Sequence, residues 1–132
     1  MAQGDLEKAL AQATEVRIHE LTNENRAYLK IYEARALLVE GKSRLLARQA
    51  PEALPLLQQA VALSAQLYDV KQSPALADAE VALANCFLDV GDRVRAKELL
   101  ADAKAIHATH RQLSERYKVP LRRLEARLSG AV

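Results

Sequence analysis

The chain has no tryptophan, and only one phenylalanine, four tyrosines, four glycines and four prolines among its 132 residues. That scarcity of turn formers and aromatic residues argues against a sandwich or barrel of many short strands. A single cysteine, Cys86, excludes an intrachain disulfide framework and a zinc site built from several thiolates. No run approaches the roughly 20 uninterrupted apolar residues that span a bilayer. The first twenty residues carry Asp5, Glu7, Lys8, Glu15 and Arg17, so no secretory signal is expected there. Neither charge sign dominates, since 19 basic side chains face 17 acidic ones for a net charge of +2. What is abundant is apolar surface: 50% of the residues are hydrophobic, enough to bury a core. One soluble, cytoplasmic, helical domain over residues 1–132 is the expectation.

Apolar residues recur at helical spacing almost from end to end. In the first segment Leu6, Ala9, Leu10, Ala13, Val16 and Leu21 share a face, and Asp5 suits an N-cap. After the polar Thr22–Asn25 stretch, Tyr28, Ile31, Ala34, Leu38, Gly41 and Leu45 form the stripe of a helix running from Glu24 to about Arg48. Pro51 should stop it, because the residue before a proline is pushed out of the α region. A third helix then buries Ala53, Leu56, Leu57, Ala60, Leu63 and Leu67, with Pro55 tolerated near its first turn. Ser73-Pro74 reads as an N-cap followed by proline at the first helical position, and Leu76, Leu83, Phe87 and Val90 follow. Gly91 ends that helix, and Asp92 caps the next, which carries Ala96, Leu99, Leu100, Ala103 and Ile106. Its end falls either at His110 or near Tyr117. Pro120 then precedes a short last segment with Leu121, Leu124 and Leu128. Five or six helices result.

Chemistry is scarce by comparison. His107 and His110 share a helical face, but two imidazoles with no adjacent carboxylate or thiolate seldom hold zinc, so they are expected to be packed or solvated. His19 stands alone. Cys86 lies beside Phe87 in the strongest apolar stripe, which suits a packed thiol better than a reactive one. No Ser-His-Asp grouping and no glycine-rich phosphate loop occur, so neither catalysis nor a cofactor is expected. The end of the chain is basic, with Lys104, Arg111, Arg116, Lys118, Arg122, Arg123 and Arg127 against Glu115 and Glu125. A solvated helical face is the expected reading. Tyr117 is alone in that stretch, so a stacking platform for nucleic acid is not expected.

Comparing the chain with itself reveals a repeat. Gly4-Asp5-Leu6-Glu7-Lys8-Ala9 matches Gly91-Asp92-Arg93-Val94-Arg95-Ala96, and Ala53 through Leu57 and Ala60 match Ala96 through Leu100 and Ala103. The leading alanines, Ala9, Ala53 and Ala96, lie about one helical hairpin apart. A small residue there lets the second helix of a pair press closely on the first. The best copy, with Leu83-Ala84, Phe87, Gly91-Asp92, Ala96, Leu100 and Ala103, resembles the tetratricopeptide repeat. Gly41 fits the position of Ala84 in the preceding copy. Glu80 stands where that family often has tryptophan, and the Ala53-to-Ala96 spacing exceeds the usual ~34 residues. The longer repeat is similar to the kinesin-light-chain variety found in bacterial regulatory proteins.

The resemblance implies an all-α, antiparallel helix-hairpin solenoid, with a half repeat over 4–22, repeats over 24–68 and 74–110, and a basic helical extension over 111–132. It also implies a concave groove that holds a partner's peptide or helix, lined by Asp78, Val81, Asn85 and Leu88 from the best copy and by Arg35, Leu38, Lys42 and Leu45 from the preceding one. Asn85 is implied to hydrogen-bond a partner's backbone. Starting and stopping between helices of a pair, the array resembles a piece of a longer one, or one that completes itself with a second copy. Three functions follow: a non-catalytic protein-interaction scaffold, a self-association module with open ends, or a regulatory domain of a larger bacterial transcription regulator or kinase.

Overall fold

Local capping signals set the starts of two of the helices, at Ser73-Pro74 and at Asp92. The computed structural model describes residues 29–67, 73–110 and 112–130, and contains among them five helices and no strand. These are α1 (residues 29–46), α2 (Ala50–Leu67), α3 (Pro74–Asp89), α4 (Arg93–Ala108) and α5 (Glu115–Leu128). The helix expected over 4–22 and Tyr28 lie outside the described residues. Ser73 is extended ahead of Pro74, and the Asp92 carboxylate accepts the Arg95 N–H at 3.1 Å to cap α4.

Two helices end in the same way. At the end of α3, Gly91 has φ +91°, and the Asp92 N–H reaches back to the Phe87 carbonyl at 2.7 Å. At the end of α1, Arg48 has φ +61°, and the Gln49 N–H reaches the Arg44 carbonyl at 2.8 Å. This left-handed cap normally belongs to glycine. It stops α1 at residue 46, two residues before the expected Arg48 and ahead of any effect of Pro51. A side chain in that conformation costs about 1–2 kcal/mol, which the exposed Arg48 bears because Ala50 and Ala53 are buried immediately afterwards.

Packing centres on α3, which touches α2, α4 and α5 and is buried along most of its length. Close approach depends on small residues: Ala53, Ala60, Ala77, Ala84, Ala96 and Ala103 are fully buried. The inward face of α1 is the expected one, with Ala34 and Gly41 buried and Ile31, Leu38 and Leu45 half-buried. On α2, Leu57 is fully buried, whereas Leu56, Leu63 and Leu67 are only half-buried and Ser64 is enclosed. Cys86 is packed at the α2–α3 contact, where its thiol donates to the Ala50 carbonyl at 3.3 Å.

The largest departure concerns Pro120, which lies inside α5 rather than ahead of a last segment. The preceding helix breaks at Thr109–His110, and a new helix begins after Ser114. Proline removes one backbone hydrogen bond there, but Leu121, Leu124 and Leu128 are all buried against the preceding helices, which outweighs that loss. Arg93 adds a tie by donating to the Leu128 carbonyl at 2.7 Å, and Lys104 lies 3.8 Å from Glu125. The basic end of the chain is thus a docked helix.

Candidate functional site

Alternate helices of the chain, α1, α3 and α5, share one side of the molecule and enclose an open cleft of about 500 Å³. Its apolar surface comes from Leu45 and Leu46 of α1, Val81 and Ala82 of α3, and Pro120 of α5. Helical spacing explains the α3 wall, because Asp78, Val81, Ala82, Asn85 and Asp89 recur at three and four residues and therefore share a face.

Charges sit in fixed pairs around this surface. Lys42 donates to both Asp78 carboxylate oxygens, at 3.0 and 3.2 Å, which joins α1 to α3. The Arg127 guanidinium donates to the Asn85 side-chain oxygen at 2.7 Å and to Asp89 at 2.8 Å, which joins α5 to α3. Arg123 also lines the cleft, is exposed, and has no ion-pair or hydrogen-bond partner among the described residues. With Lys42 and Arg127 already neutralised, Arg123 gives the cleft an excess of one positive charge.

The structure brings together Lys42, Asp78, Val81 and Asn85 from the residues the resemblance implied, along with Leu45. Arg35 is exposed and outside the cleft, while Leu38 and Leu88 pack against the core. Asn85 has a more specific position than the resemblance implied. Its amide donates to the Val81 carbonyl at 3.1 Å and its oxygen holds Arg127, so it orients a cation on the cleft wall. Sequence reasoning missed Leu46, Ala82, Asp89, Pro120, Arg123 and Arg127. Four-residue spacing from Asp78 finds Ala82, and extending the face one turn past Asn85 finds Asp89. The three α5 residues required knowing that the helix continues through Pro120.

Other titratable groups lie away from the cleft. The Cys86 thiol is pushed up to about 11 by burial and by nearby Asp89, so it is not a nucleophile at neutral pH. Half-burial and the neighbouring His110 charge lower the His107 pKa, against an opposing pull from Asp78. Among the described residues no group of three or more His, Cys, Asp or Glu side chains is placed to hold a metal ion. No described helix is long and apolar enough to cross a membrane.

Glu80 is the unusual member of the core. It is 6% exposed on another face of α3, and its Oε1 atom has no hydrogen-bond partner among the described residues. Burial, with Asp102 of α4 adding repulsion, raises its pKa from 4.5 to about 7. A carboxyl with a raised folded-state pKa contributes its full stability below the unfolded value. That contribution is lost as pH rises from about 4.5 through about 7. Glu80→Gln removes the titration, so its advantage over the parent should grow by on the order of 2 kcal/mol between pH 5 and pH 8. Urea unfolding at both pH values measures this, and an equal difference at each would exclude titration of Glu80 in that range.

No protein-family model matches the chain, and no curated protein or solved structure is significantly similar to it. The cleft therefore has to be interpreted from its own residues.

Proposed function

We propose that the chain is a non-catalytic protein-interaction module of tetratricopeptide type, which takes a peptide or helix of a partner protein in the α1–α3–α5 cleft. The observation that carries this is the cleft itself: an open volume of about 500 Å³ with an apolar lining, framed by alternate helices and with oriented polar groups at its walls. Apolar contacts supply affinity in such a groove, and a few fixed polar groups set register. Among the described residues, those lining the cleft include no Ser, Thr, Cys or His, and their one lysine is held by Asp78. The surface is therefore suited to holding a chain rather than to transforming it. We take the module to act in the cytoplasm, as a scaffold or as the regulatory part of a larger bacterial transcription regulator or kinase.

A phage-displayed peptide library panned on the full chain tests the proposal. Enriched peptides should bind at least tenfold more weakly to an Arg123→Glu/Arg127→Glu variant, a loss of about 1.4 kcal/mol or more. Arg123 is exposed and unpaired among the described residues, whereas Arg127 is tied to Asn85 and Asp89. Arg123→Glu alone should therefore show the same direction of effect, and thermal melting of both variants checks that α5 stays docked. Enrichment that is indifferent to these substitutions, or no enrichment at all, would count against the cleft as the binding site.

A further inference from the structure

A second surface meets the cleft at Leu46 and otherwise runs along the opposite side of α1 from the core. Helix α1 is apolar on two sides. Its inward side packs on the core through Ala34, Leu38, Gly41 and Leu45, while Leu29, Tyr32, Val39 and Leu46 remain 58, 66, 64 and 88% exposed. Together with exposed Ala36 and Ser43, these residues are spaced three, four, three, four and three apart. That is the a/d spacing of a helix seam, which keeps one stripe facing a partner helix along its length. Ser43 does not interrupt it, because its hydroxyl is satisfied by the Val39 carbonyl at 2.9 Å.

We propose that this stripe joins α1 to α1 of a second copy of the chain, as a parallel pair of helices. The flanking charges select that partner. Glu33 and Glu40 border the stripe on one side, and Arg35 and Lys42 on the other. In a parallel pair the basic flank of each helix meets the acidic flank of its mate, so Arg35 lies opposite Glu40 of the partner subunit, and the symmetry makes this contact twice. An antiparallel pair of the same helices would set basic flank against basic and acidic against acidic. Arg35, Glu33 and Glu40 are exposed and have no ion pair among the described residues, so they are available for this role. Lys42 stays with Asp78 on the cleft side.

Size and preorganisation set the strength. A helix of 18 residues is roughly 27 Å long. Pairing along it buries on the order of 1,000 Å² in total, which is at the lower limit for a specific interface. Packing against α2 and α3 already forms the helix, so association does not bear the cost of nucleating it. A reversible dimer with a micromolar dissociation constant follows.

Sedimentation velocity of the full chain over roughly 1–500 μM tests the dimer. The mass should rise from 14.6 kDa towards twice that value, and Val39→Lys should weaken association at least tenfold while leaving the helical spectrum unchanged. Orientation is read separately. In the parallel seam residue 39 faces its own copy, so Val39→Cys should form a covalent dimer under mild oxidation, and Cys86 is too buried to compete. Glu40→Arg should weaken the dimer severalfold, and adding Arg35→Glu should restore it. A monomer at every concentration with no crosslink would overturn the proposal, whether the stripe is bare or covered by residues 4–22 of the same chain. A dimer indifferent to Val39→Lys, or one that fails to crosslink through residue 39, would overturn it equally. Arg123→Glu/Arg127→Glu should leave the dimer intact, so the cleft and the seam can fail independently.

Discussion

Leu57→Ala is expected to destabilise the protein by about 3 kcal/mol, which for a chain of this size lowers the melting temperature by roughly 10 °C. Leu57 is among the largest fully buried side chains, and it is where α2 meets α1. A Cβ placed on Gly41 would lie 2.5 Å from the Leu57 Cδ2 atom and 2.6 Å from Cγ, closer than carbon atoms approach. The leucine therefore occupies the space that a side chain on α1 would need. Gly41→Ala alone should cost about 2 kcal/mol, because the enclosed leucine has nowhere to move. In the Leu57→Ala background the same substitution should be neutral or stabilising, since the new methyl group enters the cavity and alanine favours the helix by up to about 1 kcal/mol. Urea unfolding of the four proteins measures the coupling. Additive losses would show that the two residues are not in contact.

Leu124→Asp is expected to have a comparable or larger effect, more than about 4 kcal/mol, because it places an unpaired carboxylate in a fully buried site. The milder Leu124→Ala should cost about 3 kcal/mol and is the more informative variant. Leu121, Leu124 and Leu128 are the stripe that holds α5 on α3 and α4, and α5 supplies Pro120, Arg123 and Arg127 to the cleft. Loosening that stripe should release the amide protons of α5 to exchange before those of α3, and should weaken peptides selected on the parent. Hydrogen exchange read helix by helix distinguishes this from general unfolding. If α5 stays as protected as α3 in Leu124→Ala, the docked helix is not held mainly by its leucines.

Periodicity and capping were enough to place α2, α3 and the start of α4, whose end, open in the sequence between His110 and Tyr117, falls at Ala108. Ser73-Pro74, Gly91 and Asp92 are local signals, and each acts through the backbone within a few residues of itself. The inward face of α1 and the buried alanines Ala53 and Ala96 were equally legible, because 3.6-residue spacing has to be satisfied wherever a helix meets a core. Spacing did not point to the cleft: Asp78, Val81 and Asn85 of its α3 wall, with Lys42 and Leu45 of α1, came from the resemblance alone. Tertiary contact decided the rest. Pro120 obeys a local rule that predicts a break, and burial of three leucines overrides it. Arg48 adopts a glycine conformation because α2 must start at once to bury Ala50 and Ala53. Asn85 orients Arg127, 42 residues away, and Lys42 meets Asp78, 36 residues away. No local pattern encodes such pairings: they depend on which helix faces pack together, and that is settled by the fit of small and large side chains between helices.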